Sequence, residues 1–399
     1  MAAADKAVVV AGYVRTPIGK FGGALKNVKS PHLAAIAIKA LLKRTGVSPR
    51  DIDEVIFGSA LQGGMGQNVS RYAALLAGLP ESISAFTVNR VCSSGMQAII
   101  EAYRELVLGD ASLIIAGGVD SMSTQPLALP SEYRWGVKHF IGKSPQLLDL
   151  MVYDGLIDPT NMMLMGQEAD MVAKANEISR DELDEYAYMS HMRAVKAVQE
   201  GLFKEVEPID EVVNGERVKL DHDEGIRPDT SLEKLKALKP AFGPNGLHTA
   251  GSSSQLSDGA AALLLTTEAK AKELGLKPIA RIIGYAWHMV EPWRFTEAPS
   301  YVIEKLLRKL NLKVSDVDYF EVNEAFAVVN VLAHRRLGIP YEKMNIFGGA
   351  IAIGHPLGAS GARIVTTLIT GLKHVGGRIG IAALCHGTGG ATALALELT

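Results

Sequence analysis

The stretch Asn345-Ile346-Phe347-Gly348-Gly349-Ala350-Ile351-Ala352-Ile353-Gly354-His355-Pro356-Leu357-Gly358-Ala359-Ser360-Gly361 decides how the chain is organised. Ile346-Phe347 reads as a short strand. Glycines follow, then a histidine held before a proline, then a helix that apolar spacing carries to about His374. A strand passing through a glycine-rich turn into a helix is one unit of an α/β fold. A second such unit lies far upstream: Ala85 to Val91 reads as a strand, Cys92-Ser93-Ser94-Gly95 as the turn, and the residues to about Leu108 as a helix.

Working outward, strands are predicted at Val8 to Val10, Val55 to Gly58, Ser112 to Gly118, Gly259 to Thr266, Ile279 to Ala286 and Tyr319 to Val322. Helices are predicted at Pro31 to Arg44, Ser179 to Glu200, Ala298 to Leu310 and Glu324 to Leu337; Ser179 and Glu182 have the spacing of a capping box. Ile379 to Leu384 and Ala391 to Leu398 form a hairpin around Cys385. Strand–helix alternation implies parallel strands covered by helices. Between Ser121 and Pro244 the character changes: more than half of the 13 methionines fall here, among them those at positions 151, 162, 163, 165, 171, 189 and 192, with charged helices and a polar hairpin at Val206 to Leu220. The last third repeats the rhythm of the first. The fold expected is α/β, a duplicated five-layered α-β-α-β-α sandwich with an inserted, mainly helical loop domain. Its expected divisions are 1–122 with about 250–275, an insertion at 123–249, and a C-terminal half at 276–399.

A chain of 399 residues, 48 % apolar and 21 % charged, is long enough for two or three lobes and has the balance of a globular protein. A net charge of −2 argues against a nucleic-acid binder. No stretch has the length and apolarity of a membrane span, the run after Asp5 and Lys6 is too short for a signal core, and Leu396-Glu397-Leu398-Thr399 is no retention or peroxisomal address, so a cytoplasmic location is expected. Two cysteines make neither a disulfide framework nor a thiolate zinc site.

Cys92 follows a strand and opens a helix, where free N–H groups favour a thiolate; a buried cysteine at a tight turn would look the same. His355, among glycines and ahead of a helix start, is placed to take a thiol proton or to bond a thioester oxygen. Asn323, in Asn323-Glu324-Ala325-Phe326, can bond an oxygen on which negative charge develops, or can simply cap a helix. Cys385, in Cys385-His386-Gly387-Thr388-Gly389-Gly390, suits a proton carrier beside an anion-binding amide, or is incidental to a glycine-rich turn.

Taken together, Val91-Cys92-Ser93-Ser94-Gly95-Met96, Asn323-Glu324-Ala325-Phe326, Gly354-His355-Pro356-Leu357-Gly358-Ala359-Ser360-Gly361 and Cys385-x-Gly-x-Gly resemble the thiolase family, its acetyl-CoA acetyltransferase branch in particular. Arg15-Thr16-Pro17-Ile18-Gly19, Thr249-Ala250-Gly251 and Asp258-Gly259-Ala260 extend the resemblance over essentially the whole chain. It implies a coenzyme A-dependent acyltransferase of fatty-acid metabolism that makes or breaks the carbon–carbon bond of a 3-oxoacyl thioester in a ping-pong cycle. Cys92 would be the acylated nucleophile, His355 its activator, Asn323 the holder of a water in the oxyanion site of the second substrate, and Cys385 the carrier of the C2 proton. The N–H groups of Cys92 and Gly387 would bind the acyl-enzyme oxyanion. Arg227 would meet the nucleotide end of coenzyme A, with Ser254 and Leu156 beside pantetheine. No metal or redox cofactor is implied; acyl-CoA and coenzyme A are the expected partners, with assembly into a homodimer or homotetramer through a loop such as Ser131 to Ser144, with Tyr133, Trp135 and Phe140.

The chain departs from that pattern at Leu164, where short-chain members often carry histidine, and at Phe295, which stands in for a methionine. Both are expected near the acyl group. Met162, Met163 and Met165 suit either an adaptable apolar pocket or the core of the insertion. Two rival readings stay open: a related condensing enzyme with a cysteine nucleophile, and a non-catalytic or partner-dependent coenzyme A-binding scaffold.

Overall fold

Val8-Val9-Val10 is wholly buried and continues as strand β1 (Val8–Arg15). The structure, a computed structural model, describes residues 7–136, 138, 141, 142, 144 and 146–399; Met1 to Lys6 and Phe140, named above, lie outside them. β1 sits mid-way in a 10-stranded sheet. On one side lie β2 (Glu54–Gly58), β3 (Ser84–Val88), β4 (Leu113–Ser121) and β5 (Ser257–Thr267), in the order β1-β5-β4-β2-β3. On the other lie β6 (Ala280–Met289), β7 (Tyr319–Val322), β8 (Ile379–His386) and β9 (Gly390–Leu398), in the order β6-β9-β8-β7. Within the sheet, the strands of the two halves pair only where Val9 and Val10 meet Arg281 and Ala280.

The parallel strands expected from strand–helix alternation make only part of the sheet, and the hairpin expected around Cys385 forms and supplies an antiparallel strand. β2 is parallel to β3 and β4, and β7 to β8, but β5 and β9 run antiparallel to their neighbours. The link from β8 to β9 shows why: a turn between His386 and Gly390 can fold a strand back beside its predecessor but cannot cross over to a parallel position.

The duplication is written in local contacts. β1 bulges against β5 between Val10 and Gly12, and β6 bulges against β9 between Ile282 and Gly284; each bulge is followed by Gly-Tyr. Asp51-Ile52-Asp53 before β2 matches Asp316-Val317-Asp318 before β7. Asp53 accepts from the N–H groups of Ser112 and Leu113 at 2.7 and 3.0 Å, and Asp318 from those of Arg378 and Ile379 at 2.7 and 3.0 Å. One strand is not repeated. Ile346-Phe347, expected as a strand, is a turn, and only Met344 bridges to Phe320. The Asn345 side chain replaces the ladder, accepting from Val322 N–H at 2.8 Å and donating to Val322 C=O at 2.7 Å.

Helices α1 (Ser30–Thr45) and α2 (Val69–Leu76) cover the outer face of the first half. The central layer holds α3 (Ser94–Leu108), packed chiefly on that half's sheet, and the almost wholly buried α8 (Leu357–Val375), which touches both sheets. Within the insertion lie α4 (Met165–Ala175) and α5 (Arg180–Gln199), the latter starting at the Ser179–Glu182 capping box. The outer face of the second half is covered by α6 (Ala298–Leu310) and α7 (Ala327–Leu337). The result is the five layers expected.

Among the described residues the insertion builds no core of its own. Val172, Ile178, Leu183 and Leu235 join the outer core of the second half, while Ile209, Val213, Val218 and Leu220 of the hairpin join that of the first. Arg15 ties it to β1 from beneath, pairing with Glu205 and Asp223 at 3.3 and 2.6 Å with no exposed surface on the arginine. Among the described residues no helix is long and apolar enough to cross a membrane.

The two central helices touch backbone to backbone. A Cβ on Gly95 would lie 2.7 Å from Gly358 C=O, and one on Gly361 would lie 2.4 Å from Met96 N. Gly361→Ala is therefore expected to cost about 1–3 kcal/mol of stability through overpacking; a melting temperature equal to that of the wild type would show that the helices separate freely.

Candidate active site

Strand β3 ends at Val88, and Asn89 to Val91 turn the chain sharply into α3. Val91 adopts φ +48°, a left-handed conformation that a β-branched residue rarely takes. Side chains hold it there: Asn89 Oδ1 accepts from Val91 N–H at 2.8 Å, while Ser94 Oγ accepts from Arg90 N–H at 2.8 Å and donates to Val91 C=O at 2.6 Å. The turn sets Cys92 at the mouth of the helix. Burial pushes its thiol up to about 12, against the pull of the Gly387 and Cys92 N–H groups, which point at the sulfur; Asp120 pushes the same way as burial. The two amides named for the oxyanion thus converge on this sulfur.

Cys385 sits at the end of β8 and faces Cys92. Burial, then the neighbouring Cys92, push its thiol well above the ordinary range. Cys92 retains 8 % of its surface and Cys385 only 1 %, so the first sulfur is the one open to a substrate. Met165 and Val91 flank Gly387, the atoms of Met165 lying within 3.8 Å of where its Cβ would be.

His355 precedes α8 as Cys92 precedes α3. Its N–H donates to Gln255 C=O at 3.0 Å, and Gly354 before it takes φ +118°, with Ser257 Oγ 2.3 Å from where a Cβ would stand. His355 Nδ1 lies 2.5 Å from Ser360 Oγ, whose hydrogen goes to Pro356 C=O at 2.8 Å. A carbonyl can only accept, so Ser360 must accept from the ring. Nδ1 therefore carries the proton, and Nε2, which is buried with no partner among the described residues, presents a lone pair. Burial, and then the charge of Arg363, lower the imidazole to about 3, so the resting ring is neutral.

Asn323 lies at the end of β7, fully buried, with Nδ2 3.5 Å from His355 Nδ1 and Oδ1 accepting from Arg363 Nη2 at 3.2 Å. Asp120, at the end of β4, joins the two halves: it accepts from Ser59 Oγ at 2.8 Å, Ala60 and Leu61 N–H at 3.2 and 3.1 Å, and Gly358 N–H at 2.6 Å. Burial pushes its carboxyl up to about 6 despite those donors.

His355 opens into a pocket of about 500 Å³, including its mouth, walled by Leu156, Leu164, Met165, Phe242, Phe326 and Leu357, with Ser254 and Gln255 beside them. Gln255 also borders a second pocket of about 630 Å³ that holds Arg227, His191 and Lys234. The structure thus brings together Cys92, Gly387 and Cys385, and separately His355 and Asn323, with Met165 shared between the two groups. Leu156, Leu164 and Ser254 line the apolar pocket, and Arg227 the adjoining one. Phe295 does not line it: buried in the turn Pro292–Glu297, its ring meets the edge of Phe326 at 6.2 Å and acts through that side chain. Of the methionine cluster only Met165 reaches the pocket, and Met162 is half exposed. Asp120, Gln255, Ser360 and Arg363 escaped the sequence reading; each works by a contact between segments distant in sequence or one turn along a helix, and only Ser360 fell inside a quoted motif.

Comparison with known proteins agrees with this geometry. The family model for the thiolase N-terminal domain matches residues 8–269, and that for the thiolase C-terminal domain matches residues 276–398. An acetyl-CoA acetyltransferase of Synechocystis sp. is 44 % identical over 391 residues, covering 98 % of this chain and 99 % of the relative. A probable acetyl-CoA acyltransferase of Staphylococcus aureus is 45 % identical over 388 residues, covering 97 % and 98 %. The crystal structure of the Bacillus anthracis acetyl-CoA acetyltransferase superposes with a TM-score of 0.95 at 42 % identity, covering all of both chains. The chain belongs to the thiolase family.

Replacing Ser360 by alanine frees the ring to hold its proton on Nε2. Alkylation of Cys92 by iodoacetamide at pH 7 is expected to slow roughly fivefold to tenfold, as the loss of ~1 kcal/mol of tautomer preference dictates. In the wild type the same reaction should quicken steadily from pH 7 to pH 9, because the thiolate is the reactive form and burial holds the thiol at about 12. A plateau in that interval would mean that the amides outweigh burial.

Proposed function

We propose that the protein interconverts two acetyl-CoA molecules with acetoacetyl-CoA and free coenzyme A, and accepts longer 3-oxoacyl-CoA substrates, through an acyl-Cys92 intermediate. The observation that carries the reading is a pair of facing buried thiols with two N–H groups on the first sulfur and, across Met165 from them, an imidazole with a free Nε2 that opens on an apolar pocket.

In the first half-reaction Cys92 attacks the thioester carbonyl and gives its proton to His355, and coenzyme A leaves as a thiol with the proton of Cys385. The N–H groups of Cys92 and Gly387 hold the oxyanion. In the second, the Cys385 thiolate takes the C2 proton of an incoming acetyl-CoA. The enolate oxygen is met by the Nε2–H that His355 has gained and by Asn323 through a water. The enolate carbon attacks the acyl group, and Cys92 leaves as a thiolate and recovers its proton from His355. Every proton is accounted for by a residue, so no metal or redox cofactor enters the scheme. The upward shifts of both thiols and the downward shift of His355 favour neutral groups at rest, so charge separates only during turnover.

Arg227 and Lys234, in the adjoining pocket, supply cations for the phosphates of coenzyme A. Leu164 and the Phe242–Phe326 wall favour apolar chains over a strictly two-carbon acyl group. Assembly as a homodimer is supported by β3, an edge strand with a half-exposed face, and pairing of dimers by exposed Leu127, Leu129 and Trp135.

Thiolysis of acetoacetyl-CoA should be present in the wild type and absent in Cys92→Ala. Cys385→Ala should still take up one acyl group on Cys92 while turnover falls by ~10²–10⁴. A folded wild type inert toward both acetoacetyl-CoA and a ten-carbon homologue would overturn the enzyme reading in favour of a scaffold. In a series from C4 to C10, turnover of C4 alone would refute the chain-length claim.

A further inference from the structure

β7 is buried on both faces, yet one of them is polar. Phe320 and Val322 join the outer core, while Tyr319, Glu321 and Asn323, two residues apart and so on one side of the strand, face the central helices. Arg363 of α8 meets them. Its Nη1 donates to Glu321 at 2.9 Å and its Nη2 to Asn323 Oδ1 at 3.2 Å; Tyr319 OH donates to the other oxygen of Glu321. Arginine and glutamate are 1 % and 0 % exposed. Burying such a pair gives up the hydration of two ions, and apolar residues of similar volume usually serve the fold as well.

The other half of the molecule shows that the fold itself does without the pair. The match of Asp51-Ile52-Asp53 to Asp316-Val317-Asp318 sets Ile56 at the place of Glu321 and Gly58 at that of Asn323. Matching the starts of α3 and α8, Ser94 and Leu357, sets Ile100 at the place of Arg363. Ile56 and Ile100 are fully buried in the same core. Ion pair and asparagine occur together in the half that carries His355, and isoleucines and a glycine stand in the half that does not.

The guanidinium only donates, so it dictates which end of the Asn323 amide faces it. Oδ1 turns to Arg363 and Nδ2 turns away toward His355. Nδ1 of that ring is itself an N–H, so at 3.5 Å the two nitrogens form no bond, and Nδ2 keeps its hydrogens for another acceptor. We propose that Arg363 and Glu321 are positioning residues that lock Asn323 as a hydrogen-bond donor toward the enolate oxygen of the second substrate, and that this is why an ion pair replaces two isoleucines there. The inference rests on the thiolase cycle proposed above and concerns its second half-reaction alone.

The test compares Arg363→Lys and the paired change Glu321→Ile with Arg363→Ile, which copies the other half of the fold and leaves no buried charge unpaired. Both are made with and without Asn323→Ala, and melting temperatures are recorded. Two rates are read: acylation of Cys92 by acetyl-CoA, and solvent-deuterium exchange at C2 of acetyl-CoA on the acylated enzyme. In Arg363→Lys, which keeps the positive charge beside His355, acylation should change less than threefold, while exchange falls ~10- to 100-fold in both variants, as expected for losing one oriented donor to an oxyanion. With Asn323→Ala already present, removing the pair should add less than threefold, because the pair acts through the amide. Equal losses in both rates, or a full further loss without Asn323, would overturn the proposal. Wild-type protein that neither acylates nor exchanges would instead remove the cycle on which it rests.

Discussion

Everything in the site depends on two helices approaching closer than side chains normally allow. α3 and α8 meet through Gly95, Gly358 and Gly361, with backbone atoms where Cβ atoms would stand. Each helix begins just after a reactive residue, so the depth of their contact sets how Cys92 and His355 stand relative to one another. Asp120 fixes the offset from the side of the sheet by accepting from the β2–α2 loop and from Gly358 N–H of the helix that His355 precedes. A helix buried all round, as α8 is over most of its length, has no solvent face to relieve a misfit. The glycines are thus a requirement of packing before they are a requirement of chemistry.

The same burial that fixes the geometry also decides the resting protonation. Two thiols and an imidazole in a dry site are each pushed toward the neutral form: the thiols up, the ring down. Neutral groups cost little to bury, which is how a core can carry three reactive side chains and stay folded. The amides at Cys92 and Gly387 work against this tendency at the Cys92 sulfur, which the left-handed turn at Val91 sets at the mouth of α3.

Much of this could be read from the chain. Cys92, His355, Asn323, Cys385 and Gly387 sit in short motifs whose glycines, prolines and strand-to-helix punctuation are local signals, and the five layers follow from the element order. The hairpin around Cys385 makes β9 antiparallel, but the antiparallel course of β5 could not be read, because alternation of strands and helices reports neighbours in sequence and not strand direction. Ile346-Phe347 reads as a strand from its apolar pair, yet the ladder there is completed by the Asn345 side chain, a substitution that periodicity cannot signal. Phe295 was placed beside the acyl group by its position in a motif; the turn that carries it buries the ring one layer back, behind Phe326. Asp120 and Arg363 reach the site only through contacts 238 and 40 residues away along the chain.

Duplication followed by specialisation accounts for why the two halves hold unlike residues on like backbones. The bulges at Gly12 and Gly284 and the paired aspartates at 53 and 318 serve backbone geometry, and both halves keep them. Where chemistry is done the copies diverge: a thiol stands just ahead of one central helix and an imidazole just ahead of the other. Divergence then spreads inward only as far as the chemistry demands. Asn323 needs its amide held one way round, which requires a neighbour that can only donate; a buried guanidinium requires a carboxylate; and that carboxylate is met by a tyrosine. The other half has a glycine at the place of the asparagine, and at the places of the ion pair it has Ile56 and Ile100. The polar chain running from Tyr319 to Asn323 is therefore the depth to which one functional amide has rewritten an otherwise apolar core.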